Sequence, residues 1–341
     1  MPNPNAEHFA EDRYQNMLYR RSGRSGLQLP AISLGAWETF GGYRGEEIAR
    51  ACLYRAFDLG ITHFDLANNY GRPPGNAETV VGKIIRDMPR DELIISSKAG
   101  YYMWPGPYGD GLSKKYLVAS LDQSLKRMGL EYFDIFYAHR PDPETPIEET
   151  MAALDLIVRQ GKALYVGVSN FSGAQFEGAV HATEHLHLGP ITIHQARYNL
   201  LDRRLEYNLF DHTRRAGTGV IAFSPLEKGL LSDKYLGDQV PQDSRAAVWW
   251  DKEYVEGQLN ASTLDKIRRL NALAQQRDQT LAQMALAWIL RLPEVTSVLI
   301  GASKVEQIEE NVKALHNPFF SEEELKAIDE ITQVPPAFPS K

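Results

Sequence analysis

Residues 114–139 read KKYLVASLDQSLKRMGLEYFDIFYAH, one helix-length stretch followed by one strand-length run. Leu117, Leu121, Leu125 and Met128 recur at the spacing of one helical face, which predicts a helix over Lys114–Met128 with Gly129 as its stop. A short apolar run, Asp134–His139, follows at strand length. The same alternation extends both ways along the chain. Apolar runs occur at Ile32–Trp37, Thr62–Ala67, Leu93–Ala99, Asp134–His139, Ala163–Asn170, Ile191–Arg197, Gly219–Pro225 and Ser297–Ala302.

Amphipathic stretches separate these runs. Glu46–Leu59 carries Ile48, Cys52, Leu53, Tyr54 and Phe57 and stops at Gly60; Pro146–Gln160 has proline in its first turn and stops at Gly161. Strands alternating with helices imply parallel pairing and right-handed crossovers, and eight such units close into an α/β architecture, the (β/α)8 TIM barrel. An open doubly wound sheet would need a glycine-rich turn directly after a strand and before a helix. The nearest match, Gly217-Thr218-Gly219, instead precedes a strand.

Outside the repeat, MLYRRSGRSGLQLPAIS (17–33) reads as an N-terminal β-hairpin whose second strand ends at Pro30. Between Pro225 and the helix beginning near Ala261 lie about 35 residues rich in Gly, Pro, Asp and Trp, a length that is usually functional. Extra C-terminal helices, Leu264–Gln276 and Thr280–Leu290, precede the eighth strand. With no linker or repeat, residues 1–341 read as one barrel domain with its core at about 17–332.

Composition excludes several classes. The 341 residues carry 37 Lys+Arg against 44 Asp+Glu, a net charge of −7, which leaves no strong attraction for nucleic acid or an anionic membrane. At 43% apolar the chain is too hydrophobic to be disordered. Its one cysteine, Cys52, excludes an intrachain disulfide and sits in an apolar helix face as a core thiol. The polar start MPNPNAEHFAEDRYQ lacks a signal-peptide core, and no apolar run approaches the ~20 residues of a membrane helix, so a cytoplasmic protein is expected.

A barrel carries its active site at the C-terminal ends of its strands. Asp65 ends the second run with Tyr70 just beyond, Lys98 ends the third, and His139 ends the fourth. Ser169 and Asn170, Gln195, Ser224 and Ser303 lie at later strand ends. Each has an ordinary reading alone: a loop-capping Asp, a surface Tyr, a solvent-seeking Lys, a His bonded to a carbonyl. Four titratable groups at adjacent strand ends are not accounted for by packing. Their chemistry is coherent: Lys98 beside Tyr70 should favour the phenolate and lower its pKa, Asp65 compensates the lysine, and His139 polarises a carbonyl oxygen. That arrangement suits reduction of an aldehyde or ketone by a hydride donor. No metal-ligand spacing is present, and no metal is expected.

The segments FDLANNYGRPPGNAE (64–78), LIISSKAG (93–100), FDIFYAHRPDPETPIEET (133–150), GKALYVGVSNFS (161–172) and SVLIGASKVEQIEENV (297–312) resemble the aldo-keto reductase superfamily over nearly the whole chain. The resemblance is to bacterial L-glyceraldehyde 3-phosphate reductases and, beyond them, to β subunits of voltage-gated potassium channels. It implies a catalytic tetrad of Asp65, Tyr70, Lys98 and His139, with Tyr70 as proton donor. It implies NADP(H), its carboxamide held by Ser169, Asn170 and Gln195 and its ring stacked on Phe223. Ser224, Pro225, Leu226, Gly229, Leu231 and Lys234 would cover the pyrophosphate, assisted by Arg245. Gly301, Ser303, Lys304, Gln307, Glu310 and Asn311 would hold the adenosine phosphate, Lys304 and Ser303 favouring NADP.

Trp37, which also borders the cofactor site, is expected on the substrate side with Tyr101, Met103 and Trp104. Arg72, Arg140 and Lys114 are the cations considered for a substrate phosphate. The resemblance implies small aldehydes such as L-glyceraldehyde 3-phosphate and methylglyoxal as substrates, and a homo-oligomer of four or eight subunits. The alternative is an NADPH-binding, redox-sensing interaction subunit like the channel β subunits. Those proteins have asparagine where His139 stands here, which favours the enzyme.

Overall fold

The computed structural model describes residues 9–236, 255 and 257–332. Two short strands, β1 (Tyr19–Arg21) and β2 (Gln28–Pro30), form an antiparallel hairpin. Eight parallel strands then close a barrel: β3 (Ile32–Gly35), β4 (His63–Asp65), β5 (Ile94–Ala99), β6 (Phe133–Ala138), β7 (Ala163–Ser169), β8 (Ile193–Arg197), β9 (Gly219–Phe223) and β10 (Val295–Gly301). The last strand pairs with both β9 and β3, so no edge is left open.

Helices α1 (Glu46–Asp58), α2 (Asn76–Ile85), α3 (Lys114–Met128), α4 (Ile147–Arg159) and α5 (Gly173–His185) follow successive strands. Two short helices, α6 (Leu205–Asn208) and α7 (Phe210–Ala216), follow β8. Then come α8 (Ala261–Gln276), α9 (Leu281–Leu290), α10 (Val305–Val312) and α11 (Glu322–Thr332).

The local signals act through identifiable contacts. Gly129 ends α3 in the left-handed region at φ 67°, where its N–H returns to the Leu125 carbonyl. Gly60, at φ 82°, passes so close to the Arg13 carbonyl that a Cβ would lie 2.4 Å from that oxygen. Thr280 and Gln283 form a reciprocal capping box at the start of α9, so the run Thr280–Leu290 begins as a helix at Leu281 with Thr280 as its cap.

Strand alternation splits the interior into two cores. Outward residues such as Phe64, Ile95, Phe136 and Val168 pack against the helices. Inward residues Ile135, Tyr137, Ile193, Ile221 and Leu299 form a second cluster inside the barrel, closed from below by the hairpin residues Leu27 and Leu29. Ser22 and Arg20 anchor that plug by donating to the carbonyls of Thr192, Leu290 and Leu292. With this end sealed, the opposite, C-terminal end of the strands is left as the mouth.

Candidate active site

On β4 the residues His63 and Asp65 point inward while Phe64 points to the helices, and on β5 Ser96 and Lys98 point inward. The register pairs Asp65 with Ser96, which brings Lys98 beside the Asp65 carboxylate. Lys98 is fully buried, and its ammonium has three donors. One goes to Asp65 Oδ2 at 2.5 Å, one to the Leu66 carbonyl at 2.6 Å, and the third meets the Tyr70 hydroxyl oxygen at 3.5 Å. Asp65 Oδ1 accepts from Ser96 Oγ at 2.6 Å and Gln195 Nε2 at 3.0 Å. The Tyr70 oxygen therefore faces the lysine as an acceptor, leaving the phenol's own proton to be donated elsewhere.

His139 completes the group. Its ring lies edge-on to Tyr70 at 5.8 Å and to Tyr101 at 4.7 Å between centroids. Its Nδ1 is buried without a hydrogen-bond partner. Burial, then the nearby Lys98 and Arg140 charges, push its pKa well below the usual histidine value, so the ring is neutral near pH 7.

The tyrosine differs from the sequence expectation. Burial, followed by the negative charge of Asp65, drives the Tyr70 phenol well above its ordinary pKa rather than below it. Lys98 moves down, because desolvation of its ammonium outweighs the attraction of Asp65. Spatial proximity to a lysine gives the sign of one interaction, but desolvation of the phenolate is the larger effect here. At rest Tyr70 is thus a protonated donor.

Asp65, Tyr70 and His139 line a cleft of about 1020 Å³ that runs from Trp37, Tyr70 and Tyr101 across the strand ends to Lys304 and Asn311, with Lys98 buried behind them. That volume stands at the top of the ~300–1,000 Å³ range of cofactor and ligand sites. Ser169, Asn170 and Gln195 line its middle. Asn170, held at φ 62°, donates to the His139 carbonyl and to Ser169 Oγ, both at 3.0 Å, which leaves its own carbonyl oxygen and the serine proton for a carboxamide. Phe223, Ser224, Pro225, Leu226, Gly229 and Lys234 also line the cleft.

In that loop Ser224, Glu227 and Lys228 all have φ between 44° and 56°, unusual for residues with a Cβ. The Glu227 carboxylate over-determines the turn by accepting from Arg197 and from Asn199 at 2.7 Å. At the far end Gly301, Ser303, Lys304, Gln307, Glu310 and Asn311 line the wall. Helix α10 has no side-chain cap at its start, and Lys304 makes no ion pair among the described residues, a donor set that suits a phosphate. Amide and hydroxyl groups, an aromatic ring and an uncapped helix start beside a lysine, all lining one cleft, are a set that a nicotinamide dinucleotide would fit.

Some expected contacts lie elsewhere. Leu231 is fully buried in the main core and does not line the cleft. Arg245 lies outside the described residues. Trp104 stacks on Tyr116 of α3 at 5.1 Å, and neither it nor Met103 lines the cleft, because the loop after β5 folds onto α3. Trp37 and Tyr101 do line it. Arg140 is bound to the Gly100 carbonyl and Asp110, Arg72 pairs with Glu38, and Lys114 lies outside the lining.

Arg44, not singled out in the sequence, lines the cleft and stacks on Tyr43 without a carboxylate partner among the described residues. Its loop is tied to the Tyr70 turn, since the Gly41 carbonyl accepts from Arg72 N at 2.9 Å and Asn76 Nδ2 at 2.7 Å. It sits in no strand or helix, so no periodicity marks it.

Comparison with known proteins finds relatives along nearly the whole chain. The family model described as "Aldo/keto reductase family" matches residues 31–333. The chain is 55% identical over 327 residues to L-glyceraldehyde 3-phosphate reductase of Escherichia coli (strain K12), covering 94% of this chain and 93% of that protein. It is 38% identical to a probable voltage-gated potassium channel subunit beta of Oryza sativa subsp. japonica, over 94% of this chain and 98% of the relative. A protein of the same name from Arabidopsis thaliana is 37% identical over 95% and 99%. With its closed parallel barrel and a match over most of its length, the chain belongs to the aldo/keto reductase family and is an oxidoreductase.

Proposed function

We propose that this protein reduces small aldehydes to alcohols with NADPH, L-glyceraldehyde 3-phosphate foremost and methylglyoxal as a second substrate. The observation that carries the reading is the three-way commitment of Lys98, which presents its third donor to the Tyr70 oxygen. When bound in the cleft, a reduced nicotinamide would supply the hydride for the carbonyl carbon.

The chain's own residues do the rest. Neutral His139 donates a hydrogen bond to the carbonyl oxygen and orients it. Tyr70 gives its proton to that oxygen as negative charge develops there, and the phenolate left behind is stabilised by the Lys98 ammonium. Asp65 keeps the buried ammonium charged and fixed. The phenolate recovers its proton from solvent through the open mouth.

Ser169, Asn170 and Gln195 would hold the carboxamide, Phe223 the ring, and Ser303 with Lys304 the adenosine phosphate. Arg44 supplies a cation for the phosphate of the substrate, on the same side of the cleft as Tyr70. The name of the Escherichia coli relative supports the phosphorylated substrate.

The test is NADPH oxidation with L- and D-glyceraldehyde 3-phosphate, glyceraldehyde and methylglyoxal. The highest kcat/KM is expected for the L-phosphate, with measurable turnover of methylglyoxal. Tight NADPH binding without turnover of any of the four would favour a redox-sensing binding subunit.

A further inference from the structure

The barrel interior is unequal. On the side of β6, β8 and β9 its lower part is filled by Ile135, Tyr137, Ile193 and Ile221. On the side of β10, β3, β4 and β5 it holds Ser297, Ser33, His63 and Ser96, all 0% exposed. Apolar branched side chains dominate most barrel interiors, and a buried polar cluster is costly unless every member is bonded. Here the members are bonded in series. Ser297 Oγ meets Ser33 Oγ at 2.7 Å, Ser33 Oγ meets His63 Nδ1 at 2.9 Å, His63 Nε2 meets Ser96 Oγ at 2.9 Å, and Ser96 Oγ meets Asp65 Oδ1 at 2.6 Å.

The direction of the chain follows from its end. A carboxylate only accepts, so Ser96 spends its proton on Asp65. Ser96 must then accept from His63, which places the imidazole proton on Nε2. His63 Nδ1 is left as an acceptor, Ser33 donates to it, and Ser297 donates to Ser33. Burial holds His63 neutral, with its pKa pushed down to about 4.

We propose that His63 is a positioning residue of this reductase: through Ser96 it fixes the Asp65 carboxylate that holds Lys98 against Tyr70, and the Ser33–Ser297 pair fixes His63 in turn. The inference rests on the proposed roles of Tyr70, Lys98 and Asp65. His63 touches none of the reacting atoms. Asp65 Oδ1 has a second donor in Gln195, at 3.0 Å, which belongs to the middle of the cleft. Without Ser96 held in place, the carboxylate would be steered by that cleft residue and by Lys98 alone.

Two measurements test this on the full-length protein. The first is an imidazole ¹H–¹⁵N spectrum at pH 7, with the His63 ring assigned in the wild-type protein by side-chain-to-backbone correlation, so that no variant is needed. A neutral ring protonated at Nε2 is expected, and a ring protonated at Nδ1 would overturn the chain. That result does not depend on any activity. The second compares His63→Phe with His63→Gln. In the phenylalanine variant each flanking serine keeps one partner, and kcat should fall about tenfold or more, the scale of lost outer-shell partners, at unchanged NADPH Kd. His63→Gln, whose amide can still donate to Ser96, should recover part of that loss. Unchanged kcat in a folded His63→Phe, or parallel loss of kcat, NADPH binding and Tm with no recovery in His63→Gln, would overturn the proposal. If neither variant folds, the tautomer decides.

Discussion

The ammonium of Lys98 reaches the hydroxyl of Tyr70 at 3.5 Å only with its last free donor, the other two being held by Asp65 and the Leu66 carbonyl. A rotating ammonium in water has no preferred partner. This one, fully buried and bound at three corners, is preorganised for the charge that appears on the phenol during proton transfer, which is where electrostatic preorganisation acts most strongly.

Removing that ammonium exposes a second cost. In Lys98→Met the Asp65 carboxylate, 1% exposed, keeps Ser96 and Gln195 but loses its counter-charge. Breaking a buried pair from one side costs ~3–5 kcal/mol, and the two remaining donors place this case toward the lower end. Urea unfolding should show that loss together with a collapse of turnover. Retention of both would contradict the pairing.

Acid should destabilise the protein before its carboxylates titrate. His63 and His194 are pushed down to about 4 by burial, and His139 is also lowered. The unfolded chain takes up protons at these rings near pH ~6.5, whereas the folded chain refuses them at His63 and His194 until about 4 and at His139 until well below the ordinary value, so stability rises with pH through that window and falls as pH drops through it. The urea midpoint should decline steadily from pH ~6.5 downward. A midpoint constant across this interval would show the rings to be unperturbed.

Lys304 lines the far end of the cleft, with no ion pair among the described residues. Lys304→Ala should raise the Kd of NADPH by about tenfold, equivalent to ~1.4 kcal/mol, and leave that of NADH nearly unchanged. Equal effects on both cofactors, measured by fluorescence titration, would remove the lysine from the 2′-phosphate.

Arg44 divides substrates rather than cofactors. Arg44→Ala should raise KM for L-glyceraldehyde 3-phosphate about tenfold, a charge-assisted contact of ~1.5–3 kcal/mol being lost in part to neighbouring water. KM for unphosphorylated methylglyoxal should stay the same. A similar change for both would place the phosphate elsewhere.

The eight-strand closure was legible because each unit carries its own punctuation. Gly129 sits where the helix must turn left-handed, and the apolar runs have strand length. The four strand-end residues were legible for the same reason, since the end of a run marks the mouth. What the sequence hid depends on pairing and packing. The inward polar chain requires the register of His63 beside Ser96's strand, which alternation within HFD or ISSKA cannot supply alone. Trp104 looks like a substrate aromatic until Tyr116 is seen beneath it, and Leu231 looks like a loop contact until it is found in the core. The direction of the Tyr70 shift was hidden too, because burial is a property of the whole fold.

In the proposed reaction the phenol of Tyr70 delivers the proton that accompanies hydride transfer. Single-turnover oxidation of bound NADPH by methylglyoxal, in the wild type and in Tyr70→Phe, tests it directly. Transfer should be at least ~10²-fold slower in the variant, the scale of a positioned acid, with NADPH affinity intact. Transfer at the wild-type rate in a folded, NADPH-saturated Tyr70→Phe would contradict it.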